Sequence, residues 1–93
     1  MPRIALVGTL RCRNAAEAGI VRTHLPEHVR LSRAEPGCLK FEVTQDDDPL
    51  IWQVSECFAS AADFEAHQAR VKASEWGLAT QGIARDYRIE AQD

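Results

Sequence analysis

Two helix-start signals constrain the fold of this chain more than any other feature. Asn14 is followed three residues later by Glu17, and Ser60 is followed three residues later by Asp63. In each pair the first side chain can cap a helix N-terminus while the second lies at the capping-box position. Both signals follow segments rich in strand-forming residues. The chain therefore alternates strands with helices, which excludes a fold made of only one of them.

The first signal predicts a helix from about Ala15 to Arg33. Its inward stripe has helical spacing and consists of Val21, Leu25, Val29 and Ser32. Pro26 lies inside this pattern and removes a backbone donor, so we expect the helix to kink or restart there. The run E-P-G at 35–37 ends the helix, because the residue before a proline disfavours the helical region and glycine tolerates a turn.

Four segments have the pattern of strands. They are Arg3 to Arg13, Cys38 to Gln45, Leu50 to Phe58 and Ile83 to Glu90. The first is apolar on both faces, whereas the second alternates Leu39, Phe41 and Val43 with polar residues, which predicts one buried face. The run D-D-D-P at 46–49 is typical of a solvated turn rather than a cation-binding loop. It predicts an antiparallel hairpin between the second and third strands.

The second signal predicts a helix that starts after Ser60 and ends near Ser74. The residues on its inward stripe are Phe64, His67 and Val71. An irregular bridge opening with W-G at 76–77 then leads to the last strand. The order is β-α-β-β-α-β in a single domain, residues 1–93. This order predicts an α+β, ferredoxin-like fold in which two helices cover one face of a four-stranded antiparallel sheet.

Two helices leave the opposite face of such a sheet open. That face carries Ala5, Val7 and Ile51 or their neighbours, which would expose an apolar patch to water. A two-fold dimer in which the sheets face each other buries this patch. We therefore expect a homodimer and no stable lone monomer.

Composition excludes several other classes of partner. The formal net charge is −3 and the 11 Lys and Arg residues are dispersed, so we expect neither nucleic acid nor a membrane as a partner. Arg11 and Arg13 interrupt the apolar N-terminal stretch too early for an export signal, which predicts a cytoplasmic protein.

The three cysteines lack C-x-x-C spacing; they are Cys12, Cys38 and Cys57. They are predicted to be reduced thiols that pack as small core residues.

Three sequence blocks carry a resemblance to a known family. They are S-R-A-E-P-G-C-L-K-F-E-V at 32–43, S-E-C-F at 55–58 and A-D-F-E-A-H at 62–67. In this order they resemble the antibiotic biosynthesis monooxygenase family. The resemblance implies a dimeric α+β barrel. Several members oxidise quinols or aromatic polyketides with molecular oxygen and without metal or flavin, so it also implies that no cofactor is needed.

The resemblance also suggests where a site would lie. It places Trp52, Glu56 and Phe58 on the face of the third strand that looks toward the helices. It makes His67 the candidate catalytic residue, since a histidine there could accept a phenolic proton near neutral pH. The remaining candidates for substrate contact are Phe64 and Trp76. A phenol or quinol must lose a proton before it passes an electron to oxygen, and an enclosed pocket favours that step.

Each candidate also has a structural interpretation. His67 can be a core histidine that hydrogen-bonds a neighbour, and the aromatic residues can fill an ordinary core. Glu56 can pair with Arg85 or Arg88 across the sheet, and we expect a structural role for it first. His24 and His28 lie four residues apart and are expected to be surface residues, because no carboxylate completes a metal site.

Four departures from the family narrow the expected function. Gly8 and Phe58 stand where the heme-degrading branch has asparagine and tryptophan, so heme is disfavoured as a ligand. Val54 and Phe64 replace the asparagine and tyrosine of the polyketide-oxidising branch. Two hypotheses follow: a cofactor-independent monooxygenase for a small phenol, quinol or related aromatic, or a non-catalytic dimer that binds a small hydrophobic ligand or serves in stress responses.

Overall fold

The computed structural model describes residues 2–92. Its elements follow one another with short connections. They are β1 (Arg3–Arg11), α1 (Ala15–Arg33), β2 (Cys38–Gln45), β3 (Ile51–Phe58), α2 (Ala61–Ala73), α3 (Glu75–Ala79) and β4 (Ala84–Gln92). The strands form one sheet in the order β2-β3-β1-β4, and all neighbours are antiparallel. This is the predicted α+β, ferredoxin-like arrangement, with one short helix added.

The caps position both long helices as the sequence predicts. Asn14 Oδ1 accepts a hydrogen bond of 3.0 Å from the Glu17 backbone N–H, and Ser60 Oγ accepts one of 3.2 Å from that of Asp63. The predicted bounds of α1 are confirmed at both ends. Helix α1 does not restart at Pro26, because the helix is continuous across this residue.

The predicted irregular bridge after α2 is wrong, since Glu75–Ala79 form the one-turn helix α3. Ser74 makes this possible: its hydroxyl accepts a hydrogen bond of 3.1 Å from the Gly77 backbone N–H. Gly77 is required here, since a Cβ would lie 2.0 Å from the Val71 carbonyl oxygen. The consequence for the site is that α3 holds Trp76 against the core.

The inner face of the sheet is defined here as the face that packs on the helices. It buries Leu6 and Leu10 of β1 together with Trp52, Val54 and Phe58 of β3. Their alternation with exposed or half-buried residues is the period-two pattern of a strand with one covered face. The core therefore lies between this face and the helices.

One residue of β2 departs from the predicted alternation. The pairing of β2 with β3 shifts between Cys38 and Lys40, which inserts Leu39 as an extra residue. A β-bulge of this kind re-aims the side chain. Leu39 therefore does not share the buried face of Phe41, and it stays 55% exposed beside Val7 and Cys57 on the other side of the sheet.

The outer face, opposite the helices, is partly apolar. Val7 is 47% exposed there, while Ala5 and Ile51 are half-buried.

The prediction that all three cysteines are core residues is confirmed only for Cys12, because Cys38 and Cys57 are half-buried. All three thiols are free.

The hairpin between β2 and β3 has the predicted polar turn. Asp48 Oδ1 accepts a hydrogen bond of 3.0 Å from the Leu50 backbone N–H.

Within residues 2–92, no three His, Cys, Asp or Glu side chains gather in a way that would hold a metal ion. No helix of the described part is both long and apolar enough to span a bilayer.

Candidate functional site

A cavity of about 190 Å³ lies between the inner face of the sheet and the helices; we call it the inner cavity. Its apolar wall consists of Leu6, Leu10, Val43, Val54, Val71 and Trp76. Its polar lining consists of His28, Glu56, Gln68, Arg85 and Tyr87. A mostly apolar chamber with a few convergent polar groups is the usual form of a small-molecule site.

Glu56 is the acidic group of this cavity. It lies on β3, is only 7% exposed, and its Oε1 has no hydrogen-bond partner within residues 2–92. Burial, followed by the charge of Glu35, raises the pKa of this carboxyl to about 7. Glu56 can therefore exchange a proton near neutral pH.

His67 lies directly behind Glu56, on α2. Its ring is 2% exposed, and its Nε2 is 3.6 Å from Glu56 Oε1. On its other side, Nδ1 is 2.8 Å from Glu35 Oε1. Burial lowers the pKa of His67, and the hydrogen bond and charge of Glu35 act against that decrease. The imidazole thus joins two carboxyl groups without lining the cavity itself.

Glu35 is held by a second partner, Arg70. The Arg70 Nε donates to Glu35 Oε2 at 2.5 Å, and another guanidinium nitrogen donates to Ser32 Oγ at 3.0 Å. A carboxylate engaged by a guanidinium offers only acceptor sites. We therefore assign the proton of neutral His67 to Nδ1, which leaves the Nε2 lone pair directed to Glu56.

The prediction that His28 is a surface residue is wrong. His28 is 5% exposed and stacks face to face on Trp76, with ring centroids 4.4 Å apart and an interplanar angle of 3°. The buried Val21 and Ser32 lie on the same helical stripe, seven residues before it and four after it. Burial, followed by the charges of His67 and of two arginines, lowers the pKa of His28 to about 3. This histidine is neutral at physiological pH.

Glu56 does not pair with the arginines proposed for it. Arg88 contacts Glu90, and Arg85 donates to the Thr80 carbonyl oxygen at 2.7 Å at the start of β4. Arg88 cannot reach Glu56 because their strand positions place them on opposite faces of the sheet. The neighbour of Glu56 is therefore the imidazole of His67.

Tyr87 completes the polar lining from β4. Burial raises the pKa of its phenol to about 12, so it stays protonated and can donate a hydrogen bond. The opposite residue on β1 is Gly8, where a Cβ would lie 2.9 Å from the Tyr87 ring. The absence of a side chain at Gly8 is what lets Tyr87 lie against β1.

The residues predicted from sequence divide into two groups. Glu56 and Trp76 line the inner cavity, whereas Trp52 and Phe58 are buried in the core. Phe64 is half-buried and packs on Phe58, with ring centroids 5.6 Å apart. Three further residues near the cavity were not predicted from the sequence: Glu35, Arg70 and His28. Glu35 lies inside the E-P-G-C block, and Arg70 follows His67 by one helical turn.

Comparisons with known proteins agree with this fold. The family model described as "Antibiotic biosynthesis monooxygenase" matches residues 3–76. No curated protein matches the chain. Among solved structures, a candidate antibiotic biosynthesis monooxygenase from Nitrosomonas europaea is similar, with a TM-score of 0.74, 18% identity, and coverage of 96% of this chain and 88% of that one.

Two further solved structures show the same fold. A protein from Pseudomonas aeruginosa has a TM-score of 0.72 and 23% identity, and the match covers 98% of this chain and 92% of the other. A conserved protein of unknown function from Bacteroides thetaiotaomicron has a TM-score of 0.74 and 12% identity, with 97% of both chains covered.

Proposed function

This chain belongs to the antibiotic biosynthesis monooxygenase family, and on that basis we propose that it oxidises a small phenol, quinol or related aromatic with molecular oxygen. The observation that supports this proposal is Glu56, a buried carboxyl whose pKa of about 7 suits proton exchange and which lines the inner cavity. His67 lies 3.6 Å behind it, and Glu35 lies 2.8 Å from the other nitrogen of His67. Such a cluster suits removal of a phenolic proton from a ligand held between the sheet and the helices.

The contacts support the following proton path. The Glu56 carboxylate takes the proton from the substrate hydroxyl, and its own proton can pass to the Nε2 lone pair of His67. The imidazolium formed is stabilised by Glu35, which accepts from Nδ1 at 2.8 Å. In this scheme Glu56 contacts the substrate, and His67 acts through Glu56.

The electron balance closes without a further reductant. The substrate anion passes electrons to O₂. One oxygen atom becomes bonded to a ring carbon, and the other leaves as water. For hydroquinone the overall change is hydroquinone plus O₂ to 2-hydroxy-1,4-benzoquinone plus water. Simple oxidation to benzoquinone would instead release hydrogen peroxide, so peroxide distinguishes the two outcomes.

We expect the purified protein to consume oxygen with hydroquinones, and His67→Gln to lower kcat about 10- to 100-fold, less than the loss of a direct general base because His67 acts through Glu56. Glutamine can still donate to Glu35 but cannot accept a proton. The matched control is Glu65→Gln, an exposed change on the same helix. Oxygen uptake and peroxide are followed together. Ligand binding without oxygen uptake would contradict the enzyme and favour the non-catalytic binding protein.

We further propose that a second copy of the chain covers the outer face. Val7 and Leu39 are 47% and 55% exposed there, beside a depression of about 410 Å³. Val7→Asp places a charge in that contact and should raise the dimer Kd at least 10-fold, since burying an unpaired charge is unfavourable. The control is Leu78→Asp on α3, where Leu78 is 64% exposed. Sedimentation of the unaltered chain as a monomer would contradict this proposal.

A further inference from the structure

A second depression lies on the helix side of the molecule, between α1 and the start of α3; we call it the groove. Its volume is about 410 Å³, and its rim is polar and charged, with Glu27, Arg30 and Glu75 among its residues. The rim residues named are exposed, so the groove opens to solvent. It is therefore the natural approach to anything buried beneath it.

Two residues line both the groove and the inner cavity. They are His28 and Trp76. Their rings are nearly parallel, at 3°, and 4.4 Å apart, and an edge contact with Phe41 at 5.1 Å holds the His28 ring in place. This stacked pair separates the two spaces. Its shape consequently decides how much of a ligand the inner cavity can accept.

The His28 ring also carries an unused polar group. Its Nδ1 is buried and has no hydrogen-bond partner within residues 2–92. Buried polar groups in proteins usually have a hydrogen-bond partner, so an unpartnered one calls for an explanation. The proton path from Glu56 through His67 does not involve His28. Because the His28 ring lines the inner cavity, we take a ligand hydroxyl there to be the missing partner.

The size of the inner cavity sets a limit on that ligand. Its volume is about 190 Å³, and an apolar cavity of roughly 150 Å³ is known to hold one benzene ring. One ring with hydroxyl groups therefore fits, with little room for a second fused ring. The groove cannot add its space while the His28 and Trp76 rings remain stacked.

We propose that the stacked His28 and Trp76 rings are the specificity-determining wall of the site: they restrict it to single-ring dihydroxyaromatics, with His28 Nδ1 binding the hydroxyl that Glu56 does not deprotonate. This rests on the proposed function, because it assigns Glu56 to the other hydroxyl.

Binding without oxygen tests this wall separately from catalysis. Hydroquinone, phenol and 1,4-dihydroxynaphthalene are titrated calorimetrically under anaerobic conditions. His28→Phe keeps a ring on Trp76 but removes the nitrogen, so the Kd for hydroquinone should rise three- to tenfold, while that for phenol stays within twofold. Trp76→Ala joins the two spaces and should lower the Kd for 1,4-dihydroxynaphthalene at least 10-fold. Leu78→Ala, an exposed change on the same helix, is the control.

The outcomes separate the two proposals. If the unaltered protein oxidises hydroquinone but neither variant changes these affinities, the proposed specificity role of His28 and Trp76 is wrong, while the proposed oxidation is supported. If the unaltered protein neither binds nor oxidises any of the three compounds, the proposed function fails. Should Trp76→Ala not fold, the hydroquinone-to-phenol ratio of His28→Phe decides, since removing an unpartnered nitrogen leaves the core filled.

Discussion

Replacing Glu56 by glutamine is expected to lower kcat for hydroquinone oxidation about 100- to 10 000-fold, the range for loss of a positioned base. Glutamine has nearly the same shape and can donate to His67 Nε2, which lies 3.6 Å from the carboxyl oxygen. It cannot accept the substrate proton. In the unaltered protein, activity should rise with pH through about 7, because only the ionised Glu56 acts as a base. Oxygen uptake from pH 5 to 9 measures both effects.

The same substitution should stabilise the protein above neutral pH. The pKa of Glu56 is about 7 in the folded state against an ordinary 4.5. Because the pKa is raised in the folded state, the contribution of Glu56 to stability is fully present when the pH is below its ordinary pKa. That contribution is lost as the pH rises through 7. This loss in the free energy of unfolding is about 3 kcal/mol. The free energy of unfolding of Glu56→Gln should therefore exceed that of the unaltered protein by about that much at pH 8.

Urea unfolding at pH 5 and pH 8 measures this difference. The matched control is Glu42→Gln on β2, where the glutamate is exposed and contacts Lys40 at 3.8 Å. Lower activity together with higher stability is the combination expected of a residue kept for chemistry rather than for folding. A Glu56→Gln protein with unchanged kcat would remove Glu56 from the proposed mechanism.

Acid should destabilise the fold through His28 by about 5 kcal/mol between pH 6.5 and pH 3. Burial, followed by the charges of His67, Arg70 and Arg85, lowers the pKa of His28 from 6.5 to about 3. The unfolded chain takes up a proton below pH 6.5, whereas the folded chain does not until about pH 3. The stabilising contribution is therefore complete above pH 6.5 and is lost as pH falls.

His28→Phe removes this proton uptake and keeps a ring on Trp76. Its unfolding free energy should change much less between pH 7 and pH 4 than that of the unaltered protein. His24→Phe, at the half-buried neighbouring histidine, is the control for the added ring. Circular dichroism during urea titration gives the unfolding free energy at pH 7 and at pH 4. If His28→Phe and the unaltered protein lose stability equally in acid, His28 is not the buried neutral group described above.

The element order was predictable because the signals for it are local. The Asn14 and Ser60 caps act within one helical turn, and α1 ends at the predicted Arg33. Alternation likewise gave β2 its observed bounds, Cys38–Gln45. By contrast, the one-turn helix α3 was missed, since five residues are too few for a period to be visible. The bulge at Leu39 was missed for a different reason: it depends on the register with β3.

The candidate site was predictable only in part. His67 and Glu56 were singled out from the sequence, but their relation was not. Glu35 meets His67 from 32 positions away, and Arg70 meets Glu35 from 35 positions away. Such pairs have no periodicity that a sequence pattern can reveal. The catalytic role of His67 remains a prediction, and we propose Glu56 for the substrate contact because Glu56 lines the inner cavity whereas His67 does not.

By itself, the sequence determined the succession of strands and helices and therefore the ferredoxin-like sheet, because caps and alternation depend on nearby residues. Only the tertiary structure decided which polar groups share the inner cavity. Glu56 and His28 belong to β3 and α1, and they line one space because the helix packs across the sheet. Burial then shifts their pKa values in opposite directions, since low polarity disfavours the charged form of each.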